Sequence, residues 1–212
     1  FGKHIFKEGS MVIPGKFNYD PAYTFVKIES TFFGVPVESY YDKLIGLRIK
    51  GKESGVKAKV LQVLSSTQSV TNSTTLYIKF ESTSDDLQNQ YFADGENLVT
   101  LTDFTYGSTT ITSGSDFATC ILSNATGTST AFTMNRGVYF ARGAFVEVQN
   151  ETLILDQYSN TPSYRVGFFV KEDLVTAVDD NSLYDNAAGF SNFTAPGADR
   201  LKISLSLTKK GL

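Results

Sequence analysis

His4 and Cys120 are the only histidine and the only cysteine in this 212-residue chain, and they stand far apart in sequence. Serine or cysteine catalysis needs a nucleophile with a base in reach, usually histidine. His4 lies at the start of the sequence, and no Gly-x-Ser-x-Gly elbow occurs. Cys120 lies in Phe117-Ala118-Thr119-Cys120-Ile121-Leu122. That run reads as a buried strand in which the thiol packs as a small apolar group. One cysteine allows no internal disulfide, which fits synthesis in a reducing compartment.

Metal chemistry needs clustered histidine, cysteine or carboxylate ligands. Asp179-Asp180-Asn181 with Asp185 comes closest, but it lacks the Asp-x-Asp-x-Asp-Gly spacing of a calcium loop and reads as a solvated turn. Gly51 and Gly55 are not followed by the Lys-Ser/Thr of a phosphate-binding loop. Glycoside hydrolysis asks only for two carboxylates. The 22 Asp and Glu leave room for a pair, yet nothing singles one out. The expectation is therefore no catalytic residues, no metal and no cofactor.

Charge is uneven along the chain. Lys43, Arg48, Lys50, Lys52, Lys57 and Lys59 form a basic run, and Glu81, Asp85, Asp86, Asp94, Glu96 and Asp103 an acidic one. They read as solvated strand faces that complement each other within a domain. A net charge of −3 and a pI of about 5.2 argue against nucleic acid or an anionic membrane as the main partner. No apolar run approaches the roughly 20 residues of a membrane helix. The opening Phe1-Gly2-Lys3-His4 carries neither Met nor signal peptide, and Lys209-Lys210-Gly211-Leu212 follows directly on a strand. The sequence is expected to be an ordered piece of a longer protein.

The elements available to position side chains are strands. Leu201-Lys202-Ile203-Ser204-Leu205-Ser206-Leu207-Thr208 alternates apolar and polar residues without a break, the pattern of a half-buried strand. Ser10–Ile13, Tyr23–Glu29, Leu47–Lys50, Val56–Leu64, Thr74–Phe80 and Asn97–Leu101 read as further strands, with one or two helical turns over Val37–Leu44. Lys52-Glu53-Ser54-Gly55 reads as a hairpin loop. Downstream, Gly137–Phe140 and Ala144–Val148 flank a tight turn at Ala141-Arg142-Gly143, and Thr152–Leu155 and Tyr164–Val170 follow. Asp173–Ala188 reads as a long polar connection with a helical turn at Asn181–Asn186. The fold class is mainly β with little helix, in two antiparallel units. Residues 1–25 form a connecting segment, 26–110 a small barrel or sandwich, 111–133 a Thr/Ser-rich linker, and 134–212 a second antiparallel unit.

Four segments carry a family resemblance. They are Phe1-Gly2-Lys3-His4-Ile5-Phe6-Lys7-Glu8-Gly9-Ser10-Met11-Val12-Ile13-Pro14-Gly15; Gly137-Val138-Tyr139-Phe140-Ala141-Arg142-Gly143 with Phe145-Val146; Tyr158-Ser159-Asn160-Thr161-Pro162-Ser163-Tyr164-Arg165-Val166-Gly167; and Ala195-Pro196-Gly197-Ala198-Asp199-Arg200-Leu201-Lys202-Ile203. They resemble a domain family of unassigned function in tail and baseplate structural proteins of tailed phages, many infecting cyanobacteria. The likeness is weakest over 66–130. In that family a helical segment precedes the part matching Phe1 and fibre-like domains can follow, so both ends of this sequence are expected to be internal.

The resemblance names no catalytic residue. It implies a structural virion protein of a tail or baseplate, made in the host cytoplasm and working by assembly contacts and fibre attachment. Its partners would be other tail or baseplate proteins and further copies of itself, with no membrane span. The rival readings are a receptor- or glycan-binding tail module, and a tail-associated polysaccharide depolymerase using paired carboxylates. Arg142, Arg165 and Arg200 are the candidate interface residues, with Asp156, Asp199 or a neighbouring subunit as partners.

Overall fold

Strands dominate the computed structural model, which describes residues 2–83 and 88–212. In chain order they are β1 (Met11–Ile13), β2 (Phe17–Ile28), β3 (Thr31–Phe32), β4 (Val35–Pro36), β5 (Arg48–Gly51), β6 (Lys57–Leu64), β7 (Thr74–Ser82) and β8 (Asn97–Thr100). Then come β9 (Phe104–Tyr106), β10 (Thr109–Ile111), β11 (Asp116–Thr119), β12 (Thr126–Met134), β13 (Gly137–Ala141) and β14 (Ala144–Val148). The last three are β15 (Glu151–Asp156), β16 (Tyr164–Val175) and β17 (Arg200–Gly211). Helical structure among the described residues is limited to one turn at Gly2–Ile5 and 3-10 turns at Val37–Ser39, Tyr41–Leu44 and Asn181–Leu183. The mainly β, antiparallel class read from the sequence holds.

The chain divides into two compact units. One comprises residues 20–131 and 154–162, the other 1–19, 132–153 and 163–212. The first is a barrel. Strands run in the order β11-β8-β5-β6-β7-β2, and β2 returns to the segment after β11 through the Ile28–Cys120 bridge. Glu29 N–H donates to the Thr119 carbonyl at 2.8 Å and Ile121 N–H to the Lys27 carbonyl at 3.2 Å, so the sheet closes on itself. Closure removes the free edges that an open sheet exposes.

Period-two patterning fills the barrel. Val26, Ile28, Ile49, Ala58, Val60, Leu76, Ile78, Leu98, Ala118 and Cys120 point inward and are buried. Each large aliphatic side chain among them contributes about 1.5–3 kcal/mol of burial free energy. The 3-10 turns over 37–44 plug one end with Val37, Tyr40 and Leu44, and the Tyr40 hydroxyl donates to the Phe117 carbonyl at 2.7 Å.

In the second unit, β1-β13-β14 form a three-stranded sheet and β16-β17 a two-stranded ribbon. The ribbon runs in unbroken register from Tyr164–Gly211 to Val175–Arg200, twelve pairs. At about 3.4 Å per residue it is roughly 40 Å long. Val166, Phe168, Val170 and Leu174 share one face with Leu201, Ile203, Leu205 and Leu207. Part of this face meets the small core of Met134, Tyr139 and Val148, where the Tyr139 and Phe168 rings meet edge-on at 4.7 Å.

These boundaries correct the sequence expectation. Residues 111–133 are not a linker, for they carry β11 and most of β12. Their Thr and Ser content resembles a loop, but in β12 Ser129 and Thr130 are buried. Ser129 Oγ donates to the Tyr23 carbonyl at 2.8 Å, and Thr130 Oγ1 donates to the Ser159 carbonyl. Small hydroxyl side chains can line a strand interior once each finds a carbonyl. Residues 1–19 group with the C-terminal part, where β1 pairs with β13. Residues 154–162 group with the barrel, and β15 enters the eight-stranded sheet β11-β8-β5-β6-β7-β2-β12-β15.

Candidate functional site

The residue types with chemical capability are placed apart. His4 is exposed on the first helical turn. Cys120 is buried in the barrel wall, and burial, reinforced by the nearby Glu96 and Asp94 charges, pushes its thiol far above the ordinary range. Among the described residues no three His, Cys, Asp or Glu side chains group to hold a metal ion. Asp85 and Asp86 of the acidic run lie outside the described residues.

Among the described acids of that run, Glu96 alone is fully buried. Its Oε1 accepts from Ser54 Oγ at 2.7 Å and Ala93 N–H at 2.7 Å. Its Oε2 accepts from the backbone N–H of Glu53 at 3.0 Å and Ser54 at 2.9 Å. The carboxylate thus holds the β5–β6 hairpin loop. Gly51 is required beneath it, since a Cβ there would stand 2.5 Å from Glu96 Oε1 and 2.2 Å from Ser54 Oγ. Every oxygen is committed to the fold, so Glu96 has no free lone pair aimed at a ligand. The basic run is partly matched within the barrel, by Arg48–Glu81 at 2.6 Å and Lys52–Asp116 at 2.7 Å.

The three candidate arginines all fall in the ribbon unit. Arg142 occupies the first central position of the β13–β14 turn at φ +51°, with Gly143 second at +82°. Two successive positive φ values make the type I′ turn that suits a two-residue hairpin. Its N–H meets both oxygens of Glu8, at 2.9 and 3.0 Å, and its guanidinium pairs with Glu172 at 2.9 Å. The partners are thus Glu8 and Glu172 and not Asp156 or Asp199. No local pattern points to this pairing, because Glu172 is thirty residues away and is brought close only by the ribbon.

Arg165 and Arg200 share the opposite, polar face of the ribbon, at its two ends. That face presents Arg165, Gly167, Phe169, Lys171, Asp173 and Val175 from β16, and Arg200, Lys202, Ser204, Ser206, Thr208 and Lys210 from β17. Five cations stand with one carboxylate, and Lys171 takes that carboxylate at 2.8 Å. Arg165 lies directly opposite Lys210, a like-charge pair. The turn near the far end is held by carboxylates. Asp179 Oδ2 accepts from Thr176 N–H at 3.0 Å and its hydroxyl at 2.8 Å, and these bonds pull the Asp179 carboxyl below its ordinary range. Asp185 bonds Ala187 N–H and the Asn192 amide, and Thr194 N–H donates to the Asp185 carbonyl. This ordered tip nonetheless exposes Val178, Phe190 and Phe193.

A second surface lies on the barrel. In the β3–β4 turn Phe33 sits at φ +46° and Gly34 at +79°, again a type I′ turn, and Phe33 is 87% exposed. Asn, Asp or Gly normally fill that first position. Phe33 helps line a cleft of about 230 Å³ with Phe32, Val35, Tyr40, Tyr106, Ile111, Asp116 and Phe117. Burial, with the nearby Tyr106, raises the Tyr40 hydroxyl to about 12, so it stays protonated and donating. Sequence reasoning passed over this cleft, although Phe32-Phe33-Gly34 between two short strands was a readable signal.

Fold and surface together define an all-β protein of a barrel unit and a ribbon unit, with exposed aromatic and cationic side chains at hairpin tips and on the ribbon face. Over residues 81–211, more than half its length, the chain matches the family described as a domain of unknown function, DUF4815, and it belongs to that family. Comparison with curated proteins and with solved structures gives no match.

Proposed function

We propose that this chain is a structural virion component of a phage tail or baseplate, assembled in the host cytoplasm and working by contacts with neighbouring subunits. One observation carries the assembly reading, the β16–β17 ribbon. A two-stranded ribbon standing by itself is marginally stable in water. Here it extends for twelve pairs, and its apolar face is left open at the distal end, where the cross-strand pair Leu174 and Leu201 are 62% and 63% exposed. Apolar side chains and unpaired strand edges in that arrangement are suited to burial against other chains. The assignment to a tail or baseplate rests on the four-segment resemblance alone.

The test is a density map of assembled particles that contain this chain. Contacts of the ribbon with other subunits are expected to bury more than about 1,000 Å² in total, the scale of a specific interface. A ribbon standing free in solvent in the assembled particle refutes assembly through it. Absence of the chain from purified tails refutes the virion assignment. Receptor or glycan binding is the second reading, favoured by the cationic face of the same ribbon.

A further inference from the structure

We infer that the polar face of the β16–β17 ribbon is a binding platform for a carboxylated polysaccharide lying along the strands. This deepens the glycan-binding reading and does not rest on the virion assignment. The charge argument comes first. The face carries Arg165, Lys171, Arg200, Lys202 and Lys210 against the single Asp173, with Asp180 of the tip adding one negative charge near Arg200, although the whole chain is net −3. Arg165 and Lys210 face each other across the ribbon, an arrangement that costs stability when no anion lies between them. Neither makes an ion pair among the described residues. Glu147 and Glu151 line the groove beside Lys202, but Glu147 is held by Arg136 at 2.7 Å and Glu151 accepts from Leu207 N–H at 2.9 Å.

The second argument separates a sugar polymer from an acidic protein. Protein interfaces are built around a desolvated apolar centre. This face has one large exposed apolar side chain, Phe169, at 59% exposure. Beside it Gly167 leaves open space where a side chain would stand, and Ser206 and Thr208 face the two residues across the ribbon. One aromatic ring on a hydroxyl-lined ribbon offers too little apolar area for a protein core. It is enough for the C–H face of a pyranose, with hydroxyls for its edges and guanidinium for its carboxylates. Arg165 and Lys171, six residues apart, span about 20 Å, so an extended chain meets cations on both sides of the ring.

The experiment is affinity electrophoresis of the 212-residue chain through gels containing polygalacturonate, neutral dextran or poly-L-glutamate, with thermal melts as a folding control. Polygalacturonate is expected to retard the protein in a salt-dependent way, and dextran to leave it unretarded. Arg165→Gln with Lys210→Gln should weaken polygalacturonate binding at least tenfold without lowering the melting temperature, because a repulsive pair is removed. Phe169→Ala should weaken polygalacturonate at least fivefold while leaving any poly-L-glutamate retardation unchanged. Loss of retardation through unfolding is recognised by the melt, and Phe169→Leu, which keeps apolar bulk without a ring, then serves in its place. No retardation by polygalacturonate, equal retardation by dextran, or equal loss of poly-L-glutamate binding in the ring variant would overturn the inference. The last outcome would mark the face as an acidic-protein contact.

Discussion

At the residue scale, the strongest commitments of this molecule are to its own backbone. Glu96 accepts a backbone N–H at each carboxylate oxygen, Ala93 at Oε1 and Glu53 and Ser54 at Oε2. Glu96→Gln replaces one oxygen by an NH2 group, so whichever way the amide turns it confronts a backbone donor. A buried donor left unsatisfied costs about 1–3 kcal/mol. The expected result is a loss of about 2–3 kcal/mol in urea unfolding, with the fold retained; a neutral substitution would show that the loop does not depend on the carboxylate. Phe33 is the contrary case. Its left-handed backbone costs about 1–2 kcal/mol. Its contact with Phe32, at 4.5 Å between centroids, returns a similar or smaller amount. Phe33→Asn is therefore expected to leave stability within about 1 kcal/mol, since Asn suits the turn. A larger drop in melting temperature would make the ring part of the fold and not a surface feature.

At the element scale, alternation made most strands readable, and β1, β2, β5 to β8, β13 to β15 and β17 were all expected near where they occur. What escaped was pairing. The sequence shows that Tyr164–Val170 and Leu201–Leu207 are strands, but nothing local says that they join across 24 residues into one ribbon, or that β16 continues to Val175. The charged stretch Lys171-Glu172-Asp173 lies beyond the strand read to Val170, and Asp173 read as the start of a polar connection. Its charges are tolerated in a strand because Lys171 pairs with Asp173 and Glu172 with Arg142. The connection after it depends on carboxylates as well. The Asp179 carboxyl is pulled below its ordinary value chiefly by the Thr176 N–H and hydroxyl, and that of Asp180 by Ser182. A folded value below the unfolded one means that the stabilisation is complete above the ordinary carboxyl range of about 3.9 and fades as pH falls through the lowered value. Amide exchange at Thr176 and Ser182 should therefore accelerate below pH of about 3.9, beyond the intrinsic pH effect. Protection that is unchanged down to pH 2 would contradict this.

At the scale of the whole molecule, the lesson lies in residues 111–133 and 154–162. Composition marked the first as a linker, because Thr, Ser and Gly are read locally as loop formers, and position along the chain placed the second inside the C-terminal unit. In the folded chain β11 closes the barrel, and the second segment is fastened to the barrel's 65–73 loop and the start of β7. The Tyr158 hydroxyl bonds Thr71 at 3.1 Å and Thr75 at 2.8 Å, and the Gln157 side chain bonds Val70 N–H at 2.9 Å and the Gln68 carbonyl at 3.0 Å. Closure of a barrel is a long-range event that no local window contains. It follows that a fragment spanning 26–110 lacks its closing strand and leaves Val26, Ile28 and Leu98 facing water where Ala118 and Cys120 should cover them. That fragment is expected to show no cooperative thermal transition and poor amide dispersion. A fragment spanning 20–131 keeps the closed ring and is expected to melt cooperatively. Adding residues 154–162 in trans as a peptide should raise its midpoint, because a ligand that binds only the folded form stabilises it. A cooperative transition in the 26–110 fragment would mean that the barrel core does not need β11, and the division drawn from composition would then be the better one.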